Sequence, residues 1–98
     1  MSEEDVVELY KEFKELADKH QLATITSKAL AILIENNVLV TDKIIGIQVD
    51  EYRDYYARDD YEDFISIKLF TEHQLKITLE IGSKGLIRRW IEGANNCE

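Results

Sequence analysis

The apolar period of this chain changes once. Up to Asn37 the apolar residues recur at helical spacing, and from Ile44 onward they alternate. Helical and strand patterns that are segregated in this way point to an α+β domain, with helices packed on one face of an antiparallel sheet. At 98 residues the chain has room for one core and little for a second. Its apolar content of 45% is enough to fill that core. Proline is absent, so helices go unbroken and turns must be made by Gly, Asn and Asp. No internal repeat and no Gly/Ser-rich linker divides the chain, and the expectation is a single domain over residues 1–98 with a frayed tail at 94–98.

Residues 2–19 read as an amphipathic helix. Ser2 is an N-cap, with Asp5 three residues on in a capping-box position, and Glu3, Glu4 and Asp5 face the positive end of the helix dipole. Val6, Leu9, Tyr10, Phe13, Leu16 and Ala17 make one buried stripe. A second helix, capped by Thr24 or Thr26, runs to about Asn36. Its centre, residues 29–34, is apolar on nearly all sides, which predicts burial on more than one face. Asn36-Asn37 is a fitting stop, because Asn tolerates the left-handed conformation.

Three strands follow. Residues 44–49 place Ile45, Ile47 and Val49 on one side; residues 64–70 place Ile65, Ile67 and Leu69 there, and residues 75–81 place Leu75, Ile77, Leu79 and Ile81. Leu86, Ile87, Trp90 and Ile91 then suggest a short C-terminal helix ending at Gly93, with a terminal strand as the alternative. The expected fold is two N-terminal helices, a three-stranded antiparallel sheet and a short C-terminal helix. Ile44 and Phe70 lend the second sheet face an apolar character, consistent with partial covering or a homodimer surface.

The chain carries 20 acidic and 12 basic side chains, a net charge of -8. Residues 1–63 hold sixteen acids and seven bases, and the remainder four acids and five bases, so the acidity lies in the first two thirds. This balance argues against direct nucleic-acid binding through a broad basic face. The longest apolar run, residues 29–34, is far short of the ~18 residues of a membrane span. The start Met-Ser-Glu-Glu-Asp is acidic where a targeting peptide is basic, and the one cysteine, Cys97, forms no internal disulfide; both fit the cytoplasm.

One stretch stands apart. Residues 50–63 contain seven carboxylates, two arginines and four of the five tyrosines, with no glycine, proline or large aliphatic residue. Tyrosine offers a wide rigid contact surface at low entropic cost, and carboxylates steer a basic partner. Asp50, Glu51, Tyr52, Asp54, Tyr55, Tyr56, Asp59, Asp60, Tyr61, Glu62 and Asp63 are the candidate partner-binding residues. The plain alternative is a solvated hairpin or loop, since charge runs are usually just surface. Pattern alone does not say whether this stretch is strand, helix or loop.

No catalytic or metal constellation emerges. The calcium-loop spacing fails and its glycine is missing, no Cys/His pair has ligand spacing, and Cys97 lacks an activating neighbourhood. His20 falls at a helix end and His73 in a turn. Gly82 and Gly85 precede a predicted helix, where a loop can receive a phosphate on its amides, although a tight turn explains both. Lys84, Arg88, Arg89 and Trp90 form the one basic cluster, with Trp90 expected in the core. No metal, no cofactor and no enzymatic activity are expected.

Three functional classes remain. The first is an acidic inhibitor that occupies the active site or nucleic-acid groove of a basic toxin or nuclease. In size and in residues 50–63 the chain is similar in kind to the immunity proteins of bacterial nuclease toxins and to phage-encoded nucleic-acid mimics; no motif is shared and no family is assigned. The second is a non-enzymatic adaptor or subunit using the same surface. The third is a small ligand-binding domain or enzyme, which lacks a nucleophile, a metal set or a convincing phosphate loop.

Overall fold

The computed structural model describes residues 1–93. In chain order it contains α1 (Glu3–Asp18), α2 (Leu22–Glu35), β1 (Ile44–Ala57), β2 (Asp60–Thr71), β3 (Leu75–Gly82) and β4 (Ile87–Gly93). The strands form one antiparallel meander in the order β1-β2-β3-β4. Both helices lie on one face of it. Val6 and Phe13 of α1 and Ile25, Ala29, Ile32 and Leu33 of α2 meet Ile65, Ile67, Leu69, Ile77, Leu79 and Ile81 of the two central strands. Burying each such side chain contributes about 1.5–3 kcal/mol, so this layer is the main source of stability.

The N-terminal helix forms for the reasons its sequence states. Ser2 Oγ accepts from the Asp5 amide at 3.2 Å, and the Asp5 carboxylate accepts from the Ser2 amide at 3.1 Å, a complete capping box. The chain then turns at His20, which adopts φ 55, and re-enters a helix at Leu22. The second helix therefore starts earlier than a Thr24 or Thr26 cap implies. Thr26 is already inside it and donates its hydroxyl back to Leu22 O at 2.9 Å. Nor is this helix buried on more than one face: Ile25, Ala29, Ile32 and Leu33 are its buried residues, and Ile34 is exposed. Asn37 closes the segment at φ 63.

Two expectations about the sheet are corrected. It has four strands rather than three, and residues 86–92 do not form a helix. Ile87 to Gly93 pair residue for residue with β3, Ile81 opposite Ile87 and Leu75 opposite Gly93. A segment of this length between glycines cannot nucleate a stable helix by itself, whereas β3 presents a row of backbone groups that need partners. Gly85, at φ 106, makes the turn that returns the chain. Trp90 is accordingly 43% exposed instead of in the core. The first strand also runs on to Ala57, well past Val49. An irregularity between Ile44 and Gly46 breaks the simple alternation expected there: Ile44 packs on the core while Ile45 is exposed. The expected frayed tail, residues 94–98, lies outside the described residues.

The opposite sheet face has no helix over it, yet Phe64, Ser66, Thr78, Glu62 and Glu80 on that side are all buried. Their neighbours on adjacent strands do the covering. No helix among the described residues is long and apolar enough to cross a membrane.

Leu79 sits at the centre of the helix-covered face. Leu79→Ala is expected to lower unfolding free energy by about 2–5 kcal/mol in urea titration. A loss below about 1 kcal/mol would be inconsistent with that placement.

Candidate functional site

Residues 50–63 are neither a loop nor a helix. They form the outer part of the β1–β2 hairpin, closed by a two-residue turn at Arg58-Asp59. Tyrosine is a strong strand former, and here its rings pair across the hairpin: Tyr52 faces Phe64 and Tyr55 faces Tyr61. Alternation along the strands sends the candidate residues to two sides.

On the side without helices, Phe64 is the centre. Tyr52 stacks on it with ring centroids 5.5 Å apart at 20°. Arg88 reaches across from β4 and lays its guanidinium carbon 4.2 Å above the same ring. One Arg88 nitrogen then donates to Asp54 Oδ2 at 2.8 Å and another to the Tyr52 hydroxyl at 3.3 Å, while Glu80 lies 3.7 Å away. Tyr52 in turn donates to Glu80 Oε1 at 2.6 Å. Burial first, and then this bond, push the Tyr52 phenol up to about 12. The hydrogen bond to Asp54 raises Arg88 above its ordinary value.

Beside this cluster lies Glu62, only 4% exposed. Its Oε1 accepts from the Tyr56 hydroxyl at 2.7 Å, and its Oε2 accepts from the backbone amides of Lys84 and Leu86 at 2.9 and 3.1 Å. The Gly82–Gly85 loop thus does bind an anion on its amides, and the anion is a side chain of the same protein. Gly82 is required for the approach, because a Cβ there would lie on the Glu62 carboxylate. The bond to Glu62 also raises the Tyr56 phenol.

On the helix-covered side, Arg53 Nε donates to Asp63 Oδ1 at 2.7 Å and its guanidinium carbon sits 4.0 Å above the Tyr61 ring. That bond holds the Asp63 carboxyl below its usual range. Glu51 pairs with Lys14 of α1 at 2.9 Å, and Asp50 and Asp60 lie 3.5 and 3.7 Å from Lys68 and Lys84. Five of the seven carboxylates, Asp50, Glu51, Asp54, Asp60 and Asp63, therefore lie within ion-pair reach of Lys68, Lys14, Arg88, Lys84 and Arg53, although Lys14 and Arg88 are shared with Asp18 and Glu80. The dense negative field expected from composition is partly neutralised.

What the hairpin does present is aromatic. Tyr55 is 58% and Tyr56 49% exposed. Strand alternation turns these neighbours toward opposite sides of the ribbon, Tyr55 beside Tyr61 and Tyr56 onto Glu62. Asp59 in the turn has no ion-pair partner among the described residues. Glu62 is a bolt inside the fold and offers no contact surface, and Asp54 and Asp63 are tied by arginines. Pattern reading missed Phe64, Glu80 and Arg88 as parts of this assembly. Arg88 was legible only as charge on a presumed helix, and nothing local marks its reach across three strands.

Three groups place ligand atoms close enough to share an ion: Asp42, Glu72 and His73. Asp42 is already committed to the β2–β3 turn, accepting from the His73 amide at 3.0 Å and lying 2.6 Å from His73 Nδ1. Bonds from Thr71 and then His73 pull its carboxyl down to about 2.

Two results are expected. Gly82→Ala should cost about 1–3 kcal/mol, and most of that cost should vanish in a Glu62→Ala background if the clash is with that carboxylate. Equal costs in both backgrounds in denaturant titrations would contradict the contact. The raised Tyr52 phenol contributes stability that is complete below pH 10 and is lost as pH rises toward about 12. Unfolding curves across that window should show a shallower loss for Tyr52→Phe than for the wild type, and parallel losses would contradict it.

Compared with known proteins, the chain matches no family model, no curated protein and no solved structure.

Proposed function

We propose that this is a non-catalytic binding protein that docks on a basic protein through the end of the β1–β2 hairpin and inhibits that partner, in the manner of an immunity protein for a toxin or nuclease. The observation that carries the reading is the presentation of Tyr55 and Tyr56. Two adjacent tyrosines stand about half exposed on opposite sides of a ribbon many of whose other groups are cross-linked. Such rings are costly to leave in water and bind with little loss of conformational freedom. They are suited to act as anchors, with Asp59 and Asp60 at the turn as the acidic rim that selects a basic groove.

Pairing within the hairpin refines the reading. Most carboxylates are spent on holding the ribbon, so affinity rests on the tyrosines more than on a broad field. A toxin or nuclease whose active groove is lined with Lys and Arg suits a narrow, rigid, acidic-tipped ribbon. The cytoplasm is the compartment this reading assigns, in keeping with a single cysteine.

The test is capture of partners at low salt with the tagged wild type, with Tyr55→Ala and Tyr56→Ala, and with Tyr56→Phe as the control that loses the bond to Glu62 and keeps the ring, followed by an assay of the captured protein's own activity. The expected result is one basic protein, bound about 2 kcal/mol more weakly by each alanine variant, held by Tyr56→Phe, and inhibited by the wild type. Equal retention by wild type and both variants, or a partner whose activity is unaffected at saturation, would overturn the proposal.

A further inference from the structure

The β1–β2 ribbon ends, on the side away from its Arg58-Asp59 turn, at Ile44 opposite Thr71. Two loop segments meet there. The Glu72 amide donates to Lys43 O at 2.9 Å, which brings residues 42–43 against the β2–β3 turn. Gln74, at φ 67, closes that turn with a bond from its amide to Thr71 O at 3.0 Å, and Glu72 and His73 stand side by side within it.

Asp42 is the more buried member of this group. Three donors hold its carboxylate. The Lys43 amide bonds to Oδ1 at 3.1 Å and the His73 amide to Oδ2 at 3.0 Å. The third is the Thr71 hydroxyl, which itself accepts from the Leu75 amide at 3.0 Å. These bonds fix the carboxylate without help from the imidazole. The His73 ring adds one contact, Nδ1 at 2.6 Å from Asp42 Oδ1, although its side chain is 78% exposed against 13% for Asp42. As an ion pair so open a contact adds little to the turn. Glu72 brings a carboxylate oxygen to the same place, and the three ligand atoms lie within 4.8 Å of one another. Among the described residues neither Asp42 nor Glu72 has a lysine or arginine partner, in contrast to Asp50, Glu51, Asp54, Asp60 and Asp63 of the hairpin. Two carboxylates and an imidazole nitrogen therefore converge with no base to compensate them.

We propose that Asp42, Glu72 and His73 bind one divalent ion of the zinc class, through Asp42 Oδ1, a Glu72 carboxylate oxygen and His73 Nδ1, with the remaining coordination open to water. The donor set selects the metal. An imidazole with two carboxylates suits zinc and its transition-metal neighbours, whereas calcium and magnesium take oxygen ligands. Zinc bonds of about 2.0–2.2 Å set tetrahedral ligand atoms about 3.3–3.6 Å apart. Asp42 Oδ1 and His73 Nδ1 need part by only about 1 Å or less to admit the ion, and rotation of the exposed ring supplies that. The exposed Glu72 side chain closes from the other side. The coordinating ring keeps its proton on Nε2. The Lys43 and His73 amides and the Thr71 hydroxyl then orient Asp42 from behind, as the outer partners of a metal ligand do. Asp42 and His73 are 31 positions apart, so no ligand spacing shows in the sequence. The site lies at the opposite end of the ribbon from Tyr55 and Tyr56, and its test is independent of the docking proposal.

Calorimetric titration of the full chain with zinc chloride tests the site. All variants carry Cys97→Ser, because a free thiolate binds zinc by itself. The expected result is one ion per chain with a micromolar dissociation constant, and a Tm that rises with zinc concentration. His73→Ala and Glu72→Gln alter exposed side chains; each should keep the parent far-ultraviolet spectrum and weaken binding about tenfold or more. His20→Ala should bind as the parent does, and calcium chloride should bind at least about tenfold more weakly than zinc. No saturable binding, unchanged affinity in either folded ligand variant, an equal loss in His20→Ala, or calcium bound as tightly as zinc would overturn the proposal.

Discussion

Glu62 lies on the side of the sheet that no helix covers, almost wholly out of water, and accepts three hydrogen bonds there. Two come from the amides of the turn between β3 and β4, and one from Tyr56 on β1. A carboxylate so placed would be destabilising if any partner were missing, and with all three it holds separate parts of the chain in one geometry. The rest of that face depends on it. Fixing Lys84 and Leu86 fixes where β4 begins, and so where Arg88 starts its reach over Phe64 to Asp54 and Tyr52. The requirement for glycine at 82 follows from the same contact.

Much of the charge in the hairpin therefore acts inward. The acids that dominate the middle of the sequence are arranged as partners for Arg53, Arg88, Lys14, Lys68 and Lys84 rather than as an outward field. Exposed pairs of this sort add little stability individually. Their effect is to order long side chains on a ribbon that extends beyond the helical layer. A stiff ribbon can then leave Tyr55 and Tyr56 in solvent without collapsing them onto the sheet. The functional proposal follows from that division: charged pairs and the inner rings Tyr52, Phe64 and Tyr61 brace, and the Tyr55 and Tyr56 rings stand part-exposed.

The helical half was readable because local rules and the tertiary structure agree. Ser2 and Asp5 cap, and Val6 and Phe13 follow the helical period into the core. The alternation of Ile65, Ile67, Leu69 and of Ile77, Leu79, Ile81 likewise matched a single covered face. The errors arose where non-local pairing overrides local pattern. Leu86, Ile87, Trp90 and Ile91 have helix-like spacing, but the open edge of β3 recruited the segment as a strand. In residues 50–63 the composition was legible and the pairing was not. Asp54 depends on Arg88 34 residues away, and Tyr52 on Glu80 28 residues away, and no spacing rule reaches so far. The Gly82–Gly85 loop was legible only as a turn before a supposed helix; that the amides of Lys84 and Leu86 would hold Glu62 was not.

Amide hydrogen exchange along the hairpin tests the central claim most directly, namely that buried Glu62 and the Arg88–Phe64–Tyr52 stack hold the ribbon rigid well beyond the helical layer. The account predicts that the ladder amides between Tyr52 and Tyr61 exchange slowly, within the range of those in β2 and β3 that lie beneath the helices. Exchange there as rapid as in the Arg58-Asp59 turn would mean the outer ribbon opens independently of the core, and the account would be wrong.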